Sequence, residues 1–250
     1  MQKRGTILVL VSLLCAPFSG WAAPNQLSPK ERTAGWKLLF DGKTTAGWRS
    51  FKKHSFPKGD WNVEDGWLHC LGHGGGDIIS DGQFDQFALE WEWKQARGGN
   101  SGVKYFVTEK RRAALGHEYQ MIDDWREPDA KAAHGKRVTA AFYDVFAPTT
   151  PPPLKQPGQV NHSRIVVIGN HVEHWLNGKK VLEYDCGSPA TMAAVHASKF
   201  RHTPWFGTRI KGHILLQDHH SQVWFRNIKI LDLSGNHADH WDWPVRSRSF

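Results

Sequence analysis

From about Gly35 onward the chain sets short apolar bursts between Gly, Pro, Asn and Asp, and the bursts have the length of β-strands rather than helices. They fall at Trp36–Phe40, Trp61–Val63, Trp67–Cys70, Asp77–Ser80, Phe87–Trp93, Val103–Val107 and Glu118–Ile122. They resume at Ala141–Val145, Arg164–Gly169, Val172–Leu176, Lys179–Tyr184, His213–Gln217 and Val223–Leu231. Glu64-Asp65-Gly66 and Leu176-Asn177-Gly178-Lys179 place residues tolerant of positive φ between neighbouring bursts, which marks antiparallel hairpins. Helical periodicity is almost absent, and nothing repeats at the period of a propeller or solenoid. The pattern predicts an all-β sandwich, with Pro148–Pro157 as a surface loop inside one domain. Ser188–Phe206 reads as a short helix or a long loop over a sheet.

The two ends of the chain read differently. Met1-Gln2-Lys3-Arg4, an apolar run from Thr6 to Phe18, and the small residues of Gly20-Trp21-Ala22-Ala23 follow the order of a secretory signal. The run is shorter than the ~20 residues of a membrane span. Cleavage after Ala22 puts Gly20 and Ala22 at the two small positions, so the expectation is a signal over residues 1–22 and an exported, periplasmic or extracellular protein. Cys15 follows Leu14 rather than a small residue, which argues against a lipid-modified terminus. Residues 234–250 lack strand alternation and read as a tail after a domain spanning 31–233.

Composition narrows the class. The 250 residues are 40% hydrophobic and 22% charged, the balance of a folded domain. Formal net charge is +8, and losing Lys3 and Arg4 with the signal leaves +6. Lys and Arg are scattered among acidic residues with no run longer than Lys110-Arg111-Arg112, so neither a nucleic-acid partner nor stable membrane insertion is expected. Cys70 and Cys186 lack Cys-x-x-Cys spacing, which argues against a zinc ribbon or thiol redox centre and leaves one bridge or two separate thiols open.

Three segments carry chemistry. In Gly116 through Asp124, strand alternation puts Glu118, Gln120 and, if the strand continues, Asp124 on one side, with Tyr119 and Met121 on the other. In Gly212 through His220, Gln217 and His219 share a face with Leu215, where imidazole suits proton transfer near neutral pH. In Arg97 through Tyr105, glycines flank Asn100 and Ser101, as in a turn approaching a ligand closely. The Gly72–Gly76 run reads as a flexible hairpin tip rather than a phosphate cradle, and no complete phosphate-loop pattern occurs. Trp125, Trp175 and Trp205 lie at loop ends where an indole face can stack on a sugar ring, whereas Trp91, Trp93 and Trp224 read as core. No Gly-x-Ser-x-Gly elbow, zinc helix or alternating Glu-x-Asp-x-x-Glu strand of a laminarinase-type glycosidase is present.

Taken together, several of these pieces resemble one family, the 3-keto-disaccharide hydrolase domain, also described as 3-keto-glucoside lyase/hydratase. The matching segments are Leu38 through Lys43 with Gly47-Trp48, Trp61 through Gly66, Phe87 through Trp93, Gly99 through Gly102 and Gly116 through Asp124. Val172 through Gly178, Ser198-Lys199-Phe200, Gly212 through His219 and Phe225 through Ile228 continue the match in order. Departures are Val160 where the family usually has Trp, Ala141 where Gly is common, and His220 where Gly is frequent. The resemblance implies a concanavalin A-like jelly roll of two antiparallel sheets. It also implies action on a glucoside or disaccharide oxidised at C3 by a separate sugar 3-dehydrogenase. His219 is the expected base and Glu118 or Asp124 the acid or a metal ligand. Asn100, Gln120, His174 and Gln217 would bind sugar hydroxyls or an enolate oxygen, with Arg226 as an electrostatic helper. Glu118, Asp124 and His219 admit a divalent ion, and no nucleotide cofactor is expected. A carbohydrate-binding module without turnover and an ordinary glycosidase are the competing readings.

Overall fold

Tight turns with positive φ hold the strands in register, and they occur where the sequence marks them. The computed structural model describes residues 23–235; the expected signal (1–22) and the tail from residue 236 lie outside the described residues. In chain order the strands are β1 (Lys37–Leu38), β2 (Trp48–Ser50), β3 (Trp61–Glu64), β4 (Trp67–Cys70), β5 (Ile78–Phe84), β6 (Phe87–Gln95) and β7 (Asn100–Val107). Then come β8 (His117–Ile122), β9 (Asn161–Ile168), β10 (His171–Leu176), β11 (Lys179–Asp185), β12 (Gly212–Leu216) and β13 (Val223–Asp232). Two short helices, α1 (Pro29–Thr33) and α2 (Pro189–His196), are capped by Ser28 and Ser188.

One sheet has the order β11-β10-β9-β6-β13-β4-β3, with β1 also on β13, and the other has the order β2-β5-β12-β7-β8. All pairings are antiparallel, and the result is the expected jelly-roll sandwich. Asp65-Gly66 (φ 48 and 75) and Asn177-Gly178 (φ 47 and 82) turn the β3–β4 and β10–β11 hairpins. Among the described residues no helix is long and apolar enough to cross a membrane.

The core between the sheets is aromatic. Trp91 meets Tyr119 edge-on at 5.0 Å with its Nε1 buried and unpartnered, whereas Trp93 Nε1 donates to Ser163 Oγ at 2.8 Å. Cys70 and Cys186 are buried separate thiols whose pKa values burial pushes up, that of Cys186 to about 12, so neither is poised to react.

Two local expectations are corrected. Ala141–Val145 is not a strand. Ala140 (φ 65) and Asp144 (φ 63) are left-handed and coil the segment against the outer edge of β8, where Ala140 N donates to Gln120 O and Tyr143 N to Glu118 O. This cover removes a bare sheet edge. The Gly72–Gly76 run is not a hairpin tip, because β4 and β5 lie in different sheets. Its amides donate to carboxylates: His73 N and Gly75 N to Asp60, and Gly76 N to Asp218. The loop thereby fixes the segment that carries Gln217 and His219.

Candidate active site

On the outer face of the five-stranded sheet, register decides which side chains meet. Lys104 on β7 stands opposite Glu118 on β8, Gly102 opposite Gln120, and Leu215 on β12 opposite Lys104. A bulge at Phe106 (φ 58) lets Tyr105 and Phe106 both enter the core while Lys104 stays on the outer face. Glu118 folds back over β7 because Gly102 leaves room: a Cβ there would sit 2.7 Å from Glu118 Oε1.

These residues line a cavity of about 220 Å³. Asn100, Lys104 and Glu118 come from the sheet, and Gln217 and His219 from the segment after β12. Tyr143, Lys199, Phe200 and Leu115 close its sides from loops. Lys104 Nζ lies 3.9 Å from Glu118 Oε2 and 3.7 Å from Asp77 Oδ2, close enough to attract yet beyond a firm hydrogen bond. Lys199 Nζ lies over the Tyr143 ring at 4.1 Å, while the Tyr143 hydroxyl donates to Asp129 at 2.8 Å.

Burial sets the protonation of this group. It raises the Glu118 pKa, with the Lys104 and Lys199 ammoniums opposing, and raises that of Asp77 with Lys104 opposing. It lowers the Lys199 pKa against the pull of Glu118, although Lys199 keeps an exposed surface, so solvent damps the shift. The cavity thus shifts its carboxyl towards the protonated form beside cationic donors. Gln217 Oε1 is buried without a partner and Asn100 is buried beside it on the cavity wall, so both are ready for hydroxyl groups.

Asn100, Glu118, Gln217 and His219 therefore meet, although Asn100 opens a strand instead of occupying a turn. The other expected site residues do not line the cavity. Gln120 lies behind its wall, its Nε2 donating to Asn100 Oδ1 at 3.5 Å, and so positions Asn100. Asp124 falls after β8 has ended, and its carboxylate accepts from Thr139 N at 2.8 Å; burial raises its pKa to about 6. Arg226 sits on the opposite sheet, bonded to Glu92 at 2.7 Å and stacked over Trp67 at 4.2 Å. His174 lies fully buried between the sheets.

His174 belongs to a hydrogen-bond chain whose direction its ends dictate. Gly207 N donates to His117 Nε2 at 3.0 Å, so the neutral ring donates from Nδ1 to the Tyr184 hydroxyl at 2.8 Å. Tyr184 donates to the Tyr105 hydroxyl at 2.6 Å, Tyr105 to His174 Nε2 at 2.9 Å, and His174 Nδ1 to Ala140 O at 2.9 Å. Burial lowers both imidazole pKa values, that of His174 to about 4, which keeps them neutral. Ala140 and Gly207 belong to the loops that carry Tyr143 and Phe200, so the chain positions two cavity walls.

A metal through Glu118, Asp124 and His219 does not fit, because those groups do not converge and the nearest charge to Glu118 is an ammonium. Among the described residues Asp60, Cys70 and Asp218 do converge, but both carboxylates already accept backbone amides.

The sequence profile of the 3-keto-alpha-glucoside-1,2-lyase-like domain matches residues 35–231. The chain belongs to this family. It is 36% identical to the 3-keto-disaccharide hydrolase of Bacteroides thetaiotaomicron, across 79% of each chain. A crystal structure of a candidate glycosyl hydrolase from Parabacteroides distasonis superposes with a TM-score of 0.77 at 33% identity, covering 84% of this chain and all of that one. A second from the same organism gives 0.64 at 28% identity, with coverage of 79% and 99%. Within this lyase-like domain, sequence reasoning had no role for Lys104, Lys199 and Tyr143. Two signals were present: Lys104 shares strand parity with Asn100, and Ser198-Lys199-Phe200 is one of the matching segments.

Proposed function

We propose that the protein is an exported enzyme that cleaves the glycosidic bond of a glucoside or disaccharide already oxidised at C3. Supporting this, the cavity is lined by one carboxylate, Glu118, beside two ammonium groups, Lys104 and Lys199. Ordinary glycosidases set two carboxyl groups across the scissile bond. A C3 ketone removes that need, because it acidifies the hydrogen on C2. His219, exposed at the cavity mouth, takes that proton, and the electron pair spreads onto the C3 oxygen as an enolate. Lys104 and Lys199 stabilise the enolate charge. Collapse of the enolate forms the C1–C2 double bond and breaks the bond from C1 to its oxygen, which Glu118 protonates. Water then adds across C1–C2, hydroxyl to C1 and proton to C2, giving 3-keto-glucose. Asn100 and Gln217 hold ring hydroxyls.

The test is turnover of 3-keto-trehalose and a 3-keto-glucoside in deuterated water, against the parent sugars. The expected result is 3-keto-glucose bearing deuterium at C2, formed from the oxidised sugars alone. Cleavage without C2 exchange would mean direct hydrolysis, cleavage of parent sugars an ordinary glycosidase, and binding without turnover a carbohydrate-binding module. Export is tested by N-terminal sequencing of the protein from the cell envelope or medium, with Ala23 expected first.

A further inference from the structure

A cavity of about 220 Å³ has room for one sugar ring, so the group leaving from C1 projects past its rim. Among the described residues the large apolar side chains that stand exposed are Trp125 (44%), Ile168 (36%) and Trp205 (56%). The two indoles mark opposite ends of the β7–β8 hairpin. Trp125 follows Asp123, whose amide donates to Gly99 O at the Asn100 end. Trp205 belongs to the loop at the Leu115 and Phe200 end.

We propose that Trp205 is the stacking platform for the leaving group, selecting aglycones that present an apolar ring face, such as a second pyranose; the proposal rests on the 3-keto-glycoside reading above. Three observations carry it. Trp205 holds a left-handed backbone (φ 57), strained for a bulky residue, and its own burial does not offset that strain. The residues on either side are fixed to the cavity walls. Pro204 O accepts from Arg111 Nε at 2.9 Å, and Arg111 Nη1 donates to the carbonyl of the wall residue Leu115 at 2.8 Å. Phe206 stacks on the wall residue Phe200 at 4.2 Å. Finally, Arg111 is buried with no carboxylate at ion-pair distance among the described residues, and burial draws its pKa to about 10. The buried guanidinium, its Nη2 unpartnered, joins the Pro204 carbonyl of this loop to the Phe106 and Leu115 carbonyls of the β7–β8 hairpin and so ties the loop to the cavity wall. Strain, exposure and tethering together describe an indole kept out for a ligand.

The experiment compares 3-keto-trehalose with methyl 3-keto-glucoside, which lacks a second ring, in wild type, Trp205→Asn and Trp125→Ala. Asn tolerates the left-handed backbone, so Trp205→Asn keeps the fold with an equal or higher Tm. The expected result is a KM for 3-keto-trehalose raised about tenfold in Trp205→Asn, with a much smaller shift for the methyl glucoside. Equal shifts on both substrates, no shift on either, or the disaccharide-specific effect in Trp125→Ala would overturn the assignment. If wild type turns over neither sugar, the reaction reading fails, and calorimetric titration with the same two unconsumed ligands decides Trp205 separately. A disaccharide advantage lost in Trp205→Asn supports the platform, and its persistence removes it.

Discussion

Glu90 and Glu118 are both buried glutamates on outer sheet faces, and their carboxyls are driven in opposite directions. Burial disfavours charge at each. At Glu90 this is more than offset by His162, Arg164 and Lys229, with Arg164 Nε at 2.8 Å and Lys229 Nζ at 3.1 Å, and the carboxyl is held well below its ordinary range. At Glu118 the ammonium of Lys104 stops at 3.9 Å and burial prevails. The eight-stranded sheet closes its charges into pairs that serve the fold. The five-stranded sheet pairs Arg49 with Asp81 and Glu109 in the same way, but on its cavity side it leaves Lys104 and Glu118 short of a firm hydrogen bond. Unfinished pairing, more than residue type, distinguishes the face proposed as active.

The sharpest way to break this comparison is to neutralise each glutamate. Glu118→Gln removes the proposed acid, and kcat on 3-keto-trehalose should fall by about 10²–10⁴ with stability unchanged or slightly raised, checked by product assay beside denaturant unfolding. Glu90→Gln should leave kcat within about twofold while lowering stability by about 3 kcal/mol, since Arg164 and Lys229 lose their shared acceptor. Reversed outcomes would mean that the faces have been assigned the wrong way round.

Lys104→Met should lower kcat by about 10² through loss of the proposed enolate donor. It also removes an opposing charge, so the Glu118 pKa rises further, the protonated form persists to higher pH, and the alkaline limb of the kcat profile should move upward. A limb that stays in place would detach Glu118 from that titration. Gly102→Ala pushes a methyl against the Glu118 carboxyl, for an expected tenfold loss of kcat/KM and about 1–3 kcal/mol of stability. The smallest effect belongs to Arg226→Gln on the pairing face, with turnover unchanged and stability lowered by about 1 kcal/mol or less.

Alternation and turn chemistry made much of this legible. Both glycine hairpins, the shared side of Glu118 and Gln120, and the convergence of Gln217 with His219 follow from local rules. What local rules lack is register and sheet membership. Lys104 faces Glu118 only because β7 and β8 pair as they do, and the Phe106 bulge has no marker in the sequence. Arg226 looked functional because a cation on a matching strand carries no sign of which sheet receives it. His174 is expected to bind sugar only through the matching segment Val172 through Gly178, which carries no sign of depth; Tyr105 and Ala140 satisfy both ring nitrogens, and that requires two other segments to arrive.

The buried chain from Gly207 to Ala140 has a pH signature as well as a structural one. The unfolded chain takes up a proton on His174 near the ordinary imidazole value, whereas the folded chain resists until about 4, so stability should decline as pH drops through that window. Urea midpoints measured between those limits check the sign, and a flat profile would contradict neutral imidazoles.

The same chain gives the cavity a common datum. Its loops are levelled against one reference line through the sandwich, with a backbone amide at one terminus and a backbone carbonyl at the other. Related proteins are therefore free to exchange the side chains that decorate these loops, and with them substrate preference. An insertion that shifts the Ala140 carbonyl or the Gly207 amide by one residue would instead tilt both walls at once, so diversification of this pocket should proceed by substitution far more readily than by changes of loop length.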